Sequence, residues 1–314
     1  MPRISIAQLF EDNREKLRLA WIAGRDGGVK QLDSGNLRDS REGLIGHLNF
    51  IHPNWIQVLA RPEIDHLGGL DPVTRQQTLH QLVTSGLACM IVAGGEQAPA
   101  HLQALADTMH APLFGSPMDS VELMWMLRPY LARALADSTT MHGVFLDVLG
   151  LGVMLTGDSG VGKSELALDL ISRGSGLIAD DVIELYRVAP ETLEARCPPL
   201  LRDFLEVRGL GVLNIRTIFG EAALRPRKNL RLIVHLEKPA GTEAHYVERL
   251  PLKPGEQEIM GINISQVTIP VAAGRNLAVL VEAAVRNHVL QLRGIDSTHD
   301  FIVRQAFELK NNEQ

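Results

Sequence analysis

The chain has 314 residues and a mass of 34.5 kDa, which is long enough for two domains of ordinary size. Hydrophobic residues make up 45% of it and charged residues 22%, a composition that excludes an intrinsically disordered protein. Its formal net charge of -6 excludes an overall positive field for nucleic acid, so we expect no nucleic-acid partner.

The first part of the chain, residues 1–134, is predicted to form a small α/β domain. Short helical patterns alternate there with short apolar runs. One such run, Gly86–Gly95 (GLACMIVAGG), is typical of a buried strand that leaves through a Gly-Gly turn. A helix is predicted at the end of this domain, and Pro129 is expected to kink or break it. The apolar residues close to helical spacing in it are Val121, Met124, Trp125, Leu127, Leu131 and Leu135.

The N-terminus and the cysteines indicate a cytoplasmic protein with no membrane partner. The N-terminus (MPRISIAQLFEDNREKL) becomes acidic and amphipathic instead of continuing into an apolar signal core. No apolar run reaches the ~20 residues that a transmembrane helix needs. Cys89 and Cys197 have no CxxC partner, so we expect both to be free thiols.

A second domain is predicted over residues 135–314. It begins with MHGVFLDVLGLGVMLTG, whose β-branched residues and glycines are typical of two short strands and a turn. A glycine loop and a helix follow, and then a strand that ends at two carboxylates, Leu177–Asp181. After a mixed section come a strand over Arg231–Glu237 and a closing helix from about Arg275 to Leu292.

The glycine loop matches the phosphate-loop pattern GxxxxGK[ST] in full. The apolar run VMLT precedes it, and ELALDLISRG follows with its apolar residues on one helical stripe, so strand, loop and helix stand in the required order. Backbone N–H groups and the helix start would bind phosphate oxygens of a nucleoside triphosphate, Lys163 would reach the terminal phosphates, and Ser164 would bind Mg²⁺. The predicted nucleotide-binding residues are Gly157, Asp158, Ser159, Gly160, Val161, Gly162, Lys163 and Ser164.

Two adjacent carboxylates, Asp180 and Asp181, are the strongest further candidates. They are expected at the sheet edge where parallel strands present catalytic groups. One can organise the metal through water, and the other can accept a proton from an attacking hydroxyl. The alternative is that one of the two merely caps the segment that follows.

Four other residues remain open between a site role and an ordinary surface role. Glu206 can complete an oxygen-ligated Mg²⁺ site or lie on the surface. His142 can face the phosphates or satisfy a turn. Arg249 and Arg275 can stabilise charge on a transferring phosphoryl group or be solvated.

Taken together, these segments resemble one family, the bifunctional HPr kinase/phosphorylases. Five segments match in the family's order, and their combination is highly specific, whereas the N-terminal domain matches more loosely. The matching segments are His142–Glu165, Leu177–Asp181, Leu205–Gly220, Val247–Leu250 and Ile269–His288.

The resemblance implies a protein kinase that uses ATP and Mg²⁺ to phosphorylate a serine of the phosphocarrier protein HPr or its paralogue. It also implies the reverse reaction, in which inorganic phosphate removes that group and pyrophosphate is released. A regulatory role in the phosphotransferase system and carbon metabolism follows from the same resemblance. So do a kinase domain similar to phosphoenolpyruvate carboxykinases and a homohexameric assembly.

The resemblance also implies roles for individual residues. Lys163 matches the phosphate-binding lysine, and Asp181 matches the carboxylate that is the base toward serine and the acid toward phosphoserine. Ser164 and Glu206 match the Mg²⁺ ligands. His142 and Arg249 match further catalytic positions.

Two longer segments match functional segments of the family. Leu205–Asn214 matches one used in both directions, and Pro270–Arg275 matches one associated chiefly with dephosphorylation. In this last segment the chain has Ala272 and Ala273 where Gram-positive members often carry a basic residue. This departure leaves the kinase prediction intact and concerns the strength or regulation of the phosphorylase activity.

Two other functions stay open on the residues alone. A phosphate-loop kinase of small molecules has the same donor site, because the motifs report the phosphate donor and not the acceptor. A nucleotide-dependent sensor needs the loop and the metal, but it needs no carboxylate placed for proton transfer.

Overall fold

The computed structural model describes residues 2–35, 43–50, 53–84, 86–238, 255–272 and 274–312. The chain divides into two compact units, Met1–Asp137 and Ser138–Gln314. Both units combine helices with sheets, as the sequence predicts. No helix in the described part of the chain has the length and apolar character to span a membrane.

The N-terminal unit is built on a mainly parallel sheet. Its strands are β1 (Arg3–Ser5), β2 (Ala20–Ala23), β3 (Gln31–Asp33), β4 (Gly43–His47), β5 (Asn54–Leu59), β6 (Cys89–Val92) and β7 (Leu113–Gly115). Its helices are α1 (Ile6–Asn13), α2 (Arg61–Gly69), α3 (Pro72–Thr84), α4 (Ala100–Thr108) and α5 (Ser120–Ala134), with a 3₁₀ turn over Arg25–Val29. In the described residues the sheet order is β2-β7-β6-β5-β4, with β2 antiparallel at one edge, and β1 pairs with β3 separately.

The buried strand predicted in Gly86–Gly95 is confirmed as β6, all of whose residues are buried. It lies between β5 and β7, so both of its edges are hydrogen-bonded, and its alternate residues join two different buried clusters, so both of its faces are covered. The chain then turns through Gly94 and Gly95, whose φ angles of 74° and 71° are in the left-handed region that glycine adopts without strain.

Helix α5 continues through Pro129, so of the two predicted alternatives at that residue the break does not occur. The helix differs from the prediction in the face that it buries. Its buried face contains Leu123, whereas Val121 is exposed and Trp125 is 74% exposed. With ~3.6 residues per turn, Leu123, Leu127 and Leu131 repeat on one face, and Val121 and Trp125 fall outside it.

The C-terminal unit contains a larger mixed sheet. Its strands are β8 (Asp137–Val148), β9 (Leu151–Gly157), β10 (Gly176–Ala189), β11 (Thr192–Arg196), β12 (Phe204–Val207), β13 (Gly211–Asn214), β14 (Arg227–Glu237), β15 (Gly255–Ile259) and β16 (Ile262–Pro270). Its helices are α6 (Lys163–Ser172), α7 (Ile215–Phe219), α8 (Leu277–Leu292) and α9 (Ser297–Asn312), with 3₁₀ turns over Pro199–Leu201 and Glu221–Ala223.

In the described residues the order of this sheet is β11-β10-β8-β9-β14-β16-β15. Strand β14 is parallel to β9 and β16, and β8 is antiparallel to β9. Strand β11 also pairs with the start of β14, so β10, β8, β9, β14 and β11 close into a ring. Strands β12 and β13 form a separate hairpin.

Most of the predicted elements of this unit are confirmed. Strands β8 and β9 flank a turn at Leu149 and Gly150, both of which have positive φ angles. Strand β14 contains the predicted strand Arg231–Glu237, and α8 covers the predicted closing helix.

The prediction that the strand containing Leu177 ends at Asp181 is wrong. Strand β10 continues for eight residues to Ala189. Ile183 and Leu185 are buried in it and alternate with more exposed residues, which is the pattern of a strand with one covered face. The two carboxylates therefore lie within a strand, where the alternation of side chains continues past them.

The large sheet is packed on both faces. Alternate residues of the central strands point to opposite sides, so Val144 and Leu155 join one core and Phe145 and Met154 join another. The first core includes the buried faces of α6 and α8. Leu155 of β9 and Leu236 of β14 belong to this core, so the packing fixes the carboxyl ends of these two parallel strands.

We expect Leu155→Ala to lower the free energy of unfolding by about 2–5 kcal/mol, because it leaves a cavity in a core that relaxes only partly. Leu155 is fully buried between Val144 and Val234 on the paired strands. Urea denaturation followed by circular dichroism measures the effect. The matched control is Leu149→Ala at the exposed turn, which we expect to change stability by about 0.5 kcal/mol or less. Equal effects of the two substitutions would contradict this packing.

Candidate active site

The phosphate loop is held between β9 and α6. Gly157 is the last residue of β9, with a φ of 133°, and a Cβ atom there would lie 2.4 Å from the carbonyl oxygen of Leu236 on β14. Only glycine fits so close to the neighbouring strand. Gly162 precedes α6 with a φ of 100°, and Val161 is buried in the core below the loop. The loop is therefore fixed at both ends and in its middle.

Lys163 folds back over the start of the loop. Its Nζ donates hydrogen bonds to the carbonyl oxygens of Gly157 at 2.8 Å and Asp158 at 3.0 Å. Lys163 is also the first residue of α6, where the helix dipole adds a partial positive charge. The geometry places an ammonium group and a helix N-terminus at the same loop, which is a suitable arrangement for a phosphate group.

Helix α6 confirms the apolar stripe that the sequence predicts. Its buried residues are Leu166, Ala167, Leu170 and Ile171. The helix ends at Ser172; Gly174, just beyond it, has a φ of 99°, and the N–H of Ser175 bonds back to the carbonyl oxygen of Leu170. The packing of this stripe sets the direction in which the N-terminus of α6 points.

Asp180 joins three elements of the site. It lies on β10 and is 8% exposed. Its Oδ2 accepts the backbone N–H of Glu206 on β12 at 2.8 Å, and its Oδ1 lies 3.5 Å from the hydroxyl oxygen of Ser164 on α6. Burial raises the pKa of the Asp180 carboxyl, although the hydrogen bonds from Glu206, Asp181 and Ser164 act in the opposite direction.

The oxygen atoms around Asp180 are of the kind that Mg²⁺ prefers. The Ser164 hydroxyl and the Asp180 carboxylate lie close together, and Glu206 is the residue bonded to that carboxylate, with its own side chain exposed. Among the described residues there is no cluster of three or more His, Cys, Asp or Glu at metal-binding distance. Mg²⁺ sites commonly use one or two carboxylates and complete the shell with water and substrate phosphates, so this donor set fits the ion.

Asp181 faces away from Asp180. Its φ angle is 64°, an unusual value that aspartate tolerates better than most residues, and its side chain is 76% exposed. The Nδ1 atom of His142 lies 3.2 Å from the Asp181 carbonyl oxygen and 3.6 Å from its Oδ1. The two adjacent carboxylates thus have different environments, one buried beside Ser164 and one open to solvent beside His142.

The structure does not bring every candidate to the loop. Arg249 lies outside the described residues. Arg275 is exposed just before α8, and within the described ranges its side chain makes no recorded bond to the loop. Cys89 and Cys197 are free, as predicted, and both are buried.

Arg208 is a residue that the sequence did not single out. It lies in the turn between β12 and β13, and a Cβ atom on Gly160 would lie 3.2 Å from its Nη1. The guanidinium group therefore rests against the middle of the phosphate loop. The signal in the sequence is only an arginine next to glycines, and the hairpin that carries it over the loop is not visible there.

Comparison with known proteins gives a match over nearly the whole chain. Residues 133–305 match the family model of the HPr Serine kinase C-terminal domain, and residues 4–131 match that of the HPr Serine kinase N terminus. A protein of Nitrosomonas europaea called HPr kinase/phosphorylase is 58% identical over 314 residues, which cover 99% of this chain and 97% of that protein.

A second relative is the HPr kinase/phosphorylase of Chromobacterium violaceum, which is 52% identical over 100% of this chain and 98% of its own. A solved structure of the Hpr(Ser) kinase/phosphatase from Coxiella burnetii is 37% identical and covers 52% of this chain and 98% of that one, with a TM-score of 0.46.

We expect Asp180→Asn to stabilise the protein in EDTA without nucleotide, and to do so more at pH 7 than at pH 4.5. A buried carboxyl with a raised pKa destabilises the folded state once it ionises, so the cost grows as the pH rises from the ordinary value of 3.8 through the raised pKa. Asparagine removes that charge and keeps an acceptor for the Glu206 N–H.

Urea denaturation at the two pH values measures this difference. The control is Asp169→Asn on the exposed side of α6, where the ion pair with Arg173 contributes about 0–1 kcal/mol at either pH. A wild-type protein that is more stable than Asp180→Asn at pH 7 would contradict the argument.

We expect Arg208→Gln to weaken ATP binding by about tenfold or more, since a hydrogen bond to a charged group contributes about 1.5–3 kcal/mol. Titration calorimetry with a non-hydrolysable ATP analogue measures the affinity. Arg173→Gln, at the other end of α6, is the matched control and should bind as the wild type does. Unchanged affinity in Arg208→Gln would place the guanidinium outside the phosphate site.

Proposed function

The chain belongs to the HPr kinase/phosphorylase family, and we propose from this membership that it phosphorylates a serine of an HPr-type phosphocarrier protein with ATP and removes the group again. The two family models together match residues 4–131 and 133–305, so the family relation includes both units. The observation that carries the proposal is that a phosphate loop and an exposed carboxylate, Asp181, lie on neighbouring parts of one unit.

In the forward direction the serine oxygen forms a bond to the γ-phosphorus of ATP, the bond from that phosphorus to the bridging oxygen breaks, and ADP leaves. Asp181 accepts the proton of the serine hydroxyl. Its exposure supports this role, because a protein serine must reach it from solvent. Asp180 is a poorer candidate, since its carboxylate is buried and bonded to the N–H of Glu206.

In the reverse direction an oxygen of inorganic phosphate forms a bond to the phosphorus of phosphoserine. The serine oxygen leaves and takes its proton back from Asp181, and the product is pyrophosphate. The same carboxyl accepts the proton when the serine oxygen is phosphorylated and returns it when that oxygen leaves, because the two reactions form and break the same serine O–P bond. The Nδ1 atom of His142 lies 3.6 Å from Asp181 Oδ1, and this contact orients the carboxylate in both reactions.

The remaining residues bind and orient phosphate. Residues Gly157–Ser164 hold the nucleotide, Lys163 and Arg249 offset the charge that develops on the transferring group, and Arg208 lies against the loop. Ser164 and Glu206 would hold Mg²⁺, with Asp180 beside them. When bound, the ion neutralises negative charge on phosphate oxygens.

The hairpin of β12 and β13 supports a role of Leu205–Asn214 in both directions. It carries Glu206 to Asp180 and Arg208 to the loop, and both directions use those groups. For Pro270–Arg275 we propose a role chiefly in dephosphorylation, although Ala273 lies outside the described residues. A cytoplasmic location, a homohexameric assembly and regulation of the phosphotransferase system complete the proposal.

We expect Asp181→Asn to lower both the kinase rate and the phosphorylase rate by about 10²-fold or more, since asparagine cannot accept or return the proton. Affinity for the ATP analogue should stay within about twofold, because among the described residues the Asp181 side chain contacts His142 and not the loop. Initial rates with HPr and with phosphoseryl-HPr, measured by intact mass, give both values. Asp169→Asn is the control and should keep both activities.

Loss of only one direction would show that the two reactions use different acid–base groups. Full activity of Asp181→Asn would remove this residue from proton transfer.

A further inference from the structure

A cleft of about 640 Å³ lies in the N-terminal unit between α3 and α4. Small-molecule sites typically have volumes of about 300–1,000 Å³, so the cleft is large enough for a metabolite. None of the candidate active-site residues lines it. It is therefore a feature separate from the proposed phosphoryl transfer.

The polar groups of the cleft are basic or neutral. Helix α3 contributes Arg75 and His80, and α4 contributes His101. There is no acidic side chain among the described residues that line it. Two acids are adjacent in sequence to lining residues, and both are already bonded: Asp71 accepts the N–H groups of Val73 and Thr74 at the start of α3, and Asp107 accepts the N–H of Gly24.

His101 has a nitrogen atom whose hydrogen-bonding capacity is unused. Its Nε2 is buried, and the described part of the chain provides no hydrogen-bond partner for it. A buried polar atom without a partner has a free-energy cost of about 1–3 kcal/mol, and a ligand group would remove that cost. Burial lowers the pKa of His101 and the nearby charge of Arg75 lowers it further, so the ring is neutral at pH 7, and Nε2 donates to an oxygen acceptor in the tautomer that carries the proton on that atom.

The rest of the lining is largely apolar. Val73 and Leu79 lie on α3, and Leu105 and Met109 lie on or just after α4. These side chains suit the hydrocarbon part of a ligand. Arg75, whose side chain has no hydrogen bond or ion pair among the described residues, and the unused nitrogen of His101 suit an acidic group.

We propose that this cleft binds a small organic anion, with its acidic group at Arg75 and His101 and its apolar body against Val73, Leu105 and Met109. The acidic group is a carboxylate or a phosphate monoester, and both present the oxygen acceptors that these two side chains require.

Titration calorimetry on the full-length protein tests the proposal, with an ATP analogue present to occupy the phosphate loop. The probes are 4-phenylbutyrate for a carboxylate, phenyl phosphate for a phosphate ester, and 4-phenylbutanamide as the neutral counterpart. We expect one or both anions to bind, and the amide to bind at least tenfold more weakly. Which anion binds identifies the acidic group.

Two variants locate the site. Arg75→Gln should weaken anion binding at least tenfold, whereas Arg61→Gln on α2, an exposed arginine outside the cleft, should leave it unchanged. Ala104→Phe places a large ring in the cleft from its exposed wall and should abolish binding, with thermal denaturation showing that the variant is folded.

Three results would overturn the proposal. They are the absence of binding by both anions, equal binding of anion and amide, and anion binding that Arg75→Gln and Ala104→Phe leave unchanged.

Discussion

The buried carboxylate of Asp180 is the interaction on which the site depends. It accepts the N–H of Glu206 at 2.8 Å and lies 3.5 Å from the hydroxyl of Ser164, so one side chain on β10 fixes both the start of α6 and the β12–β13 hairpin. That hairpin in turn places Arg208 against Gly160. Burial raises the pKa of Asp180, so we expect the ionised carboxylate to lower the stability of the folded state at neutral pH. Such a cost is common where a site is built for function.

The large sheet supports this arrangement from below. Gly157 ends β9 so close to Leu236 of β14 that no side chain fits there. The two parallel strands therefore fix the position at which the phosphate loop begins. The positive φ of Asp181 then turns the second carboxylate outward, next to His142 on β8. One strand thus presents one carboxylate to the loop and one to solvent. We infer that this division separates phosphate and metal binding from proton transfer.

The sequence predicted the parts of this unit whose cause is local. The GxxxxGK[ST] spacing, the apolar stripe after it and the β8–β9 hairpin follow from glycine positions and from helical or strand periodicity, and the structure confirms these elements. The predicted end of a strand at Asp181 was wrong. Ile183 and Leu185 continue the alternation of buried and exposed residues, so the strand extends past the two carboxylates. In α5, the exposure of Trp125 depends on which face of the helix packs against the sheet. Apolar residues occur on more than one face, so the sequence does not determine which face is buried.

The parts that could not be predicted depend on tertiary contacts. Arg208 reaches the loop only because a hairpin 40 or so residues further along the chain folds onto α6 and β10. The different environments of Asp180 and Asp181 depend on one backbone angle and on burial, and two adjacent aspartates in a sequence reveal neither. The metal and catalytic roles of Glu206, His142 and Arg249 stay predictions from the family resemblance.

The most direct test of the central claim, reversible phosphoryl transfer to a protein serine at one site, is the intact mass of the HPr-type carrier from the same organism. The purified wild-type protein is first given Mg-ATP and the carrier, and the ATP is then removed and inorganic phosphate added in excess. The proposal predicts that the carrier gains one phosphate, confined to a serine, and then loses it as an equal amount of pyrophosphate appears. A carrier that is never modified, by a protein that still binds ATP, would contradict it and would favour a kinase of small molecules or a nucleotide-dependent sensor.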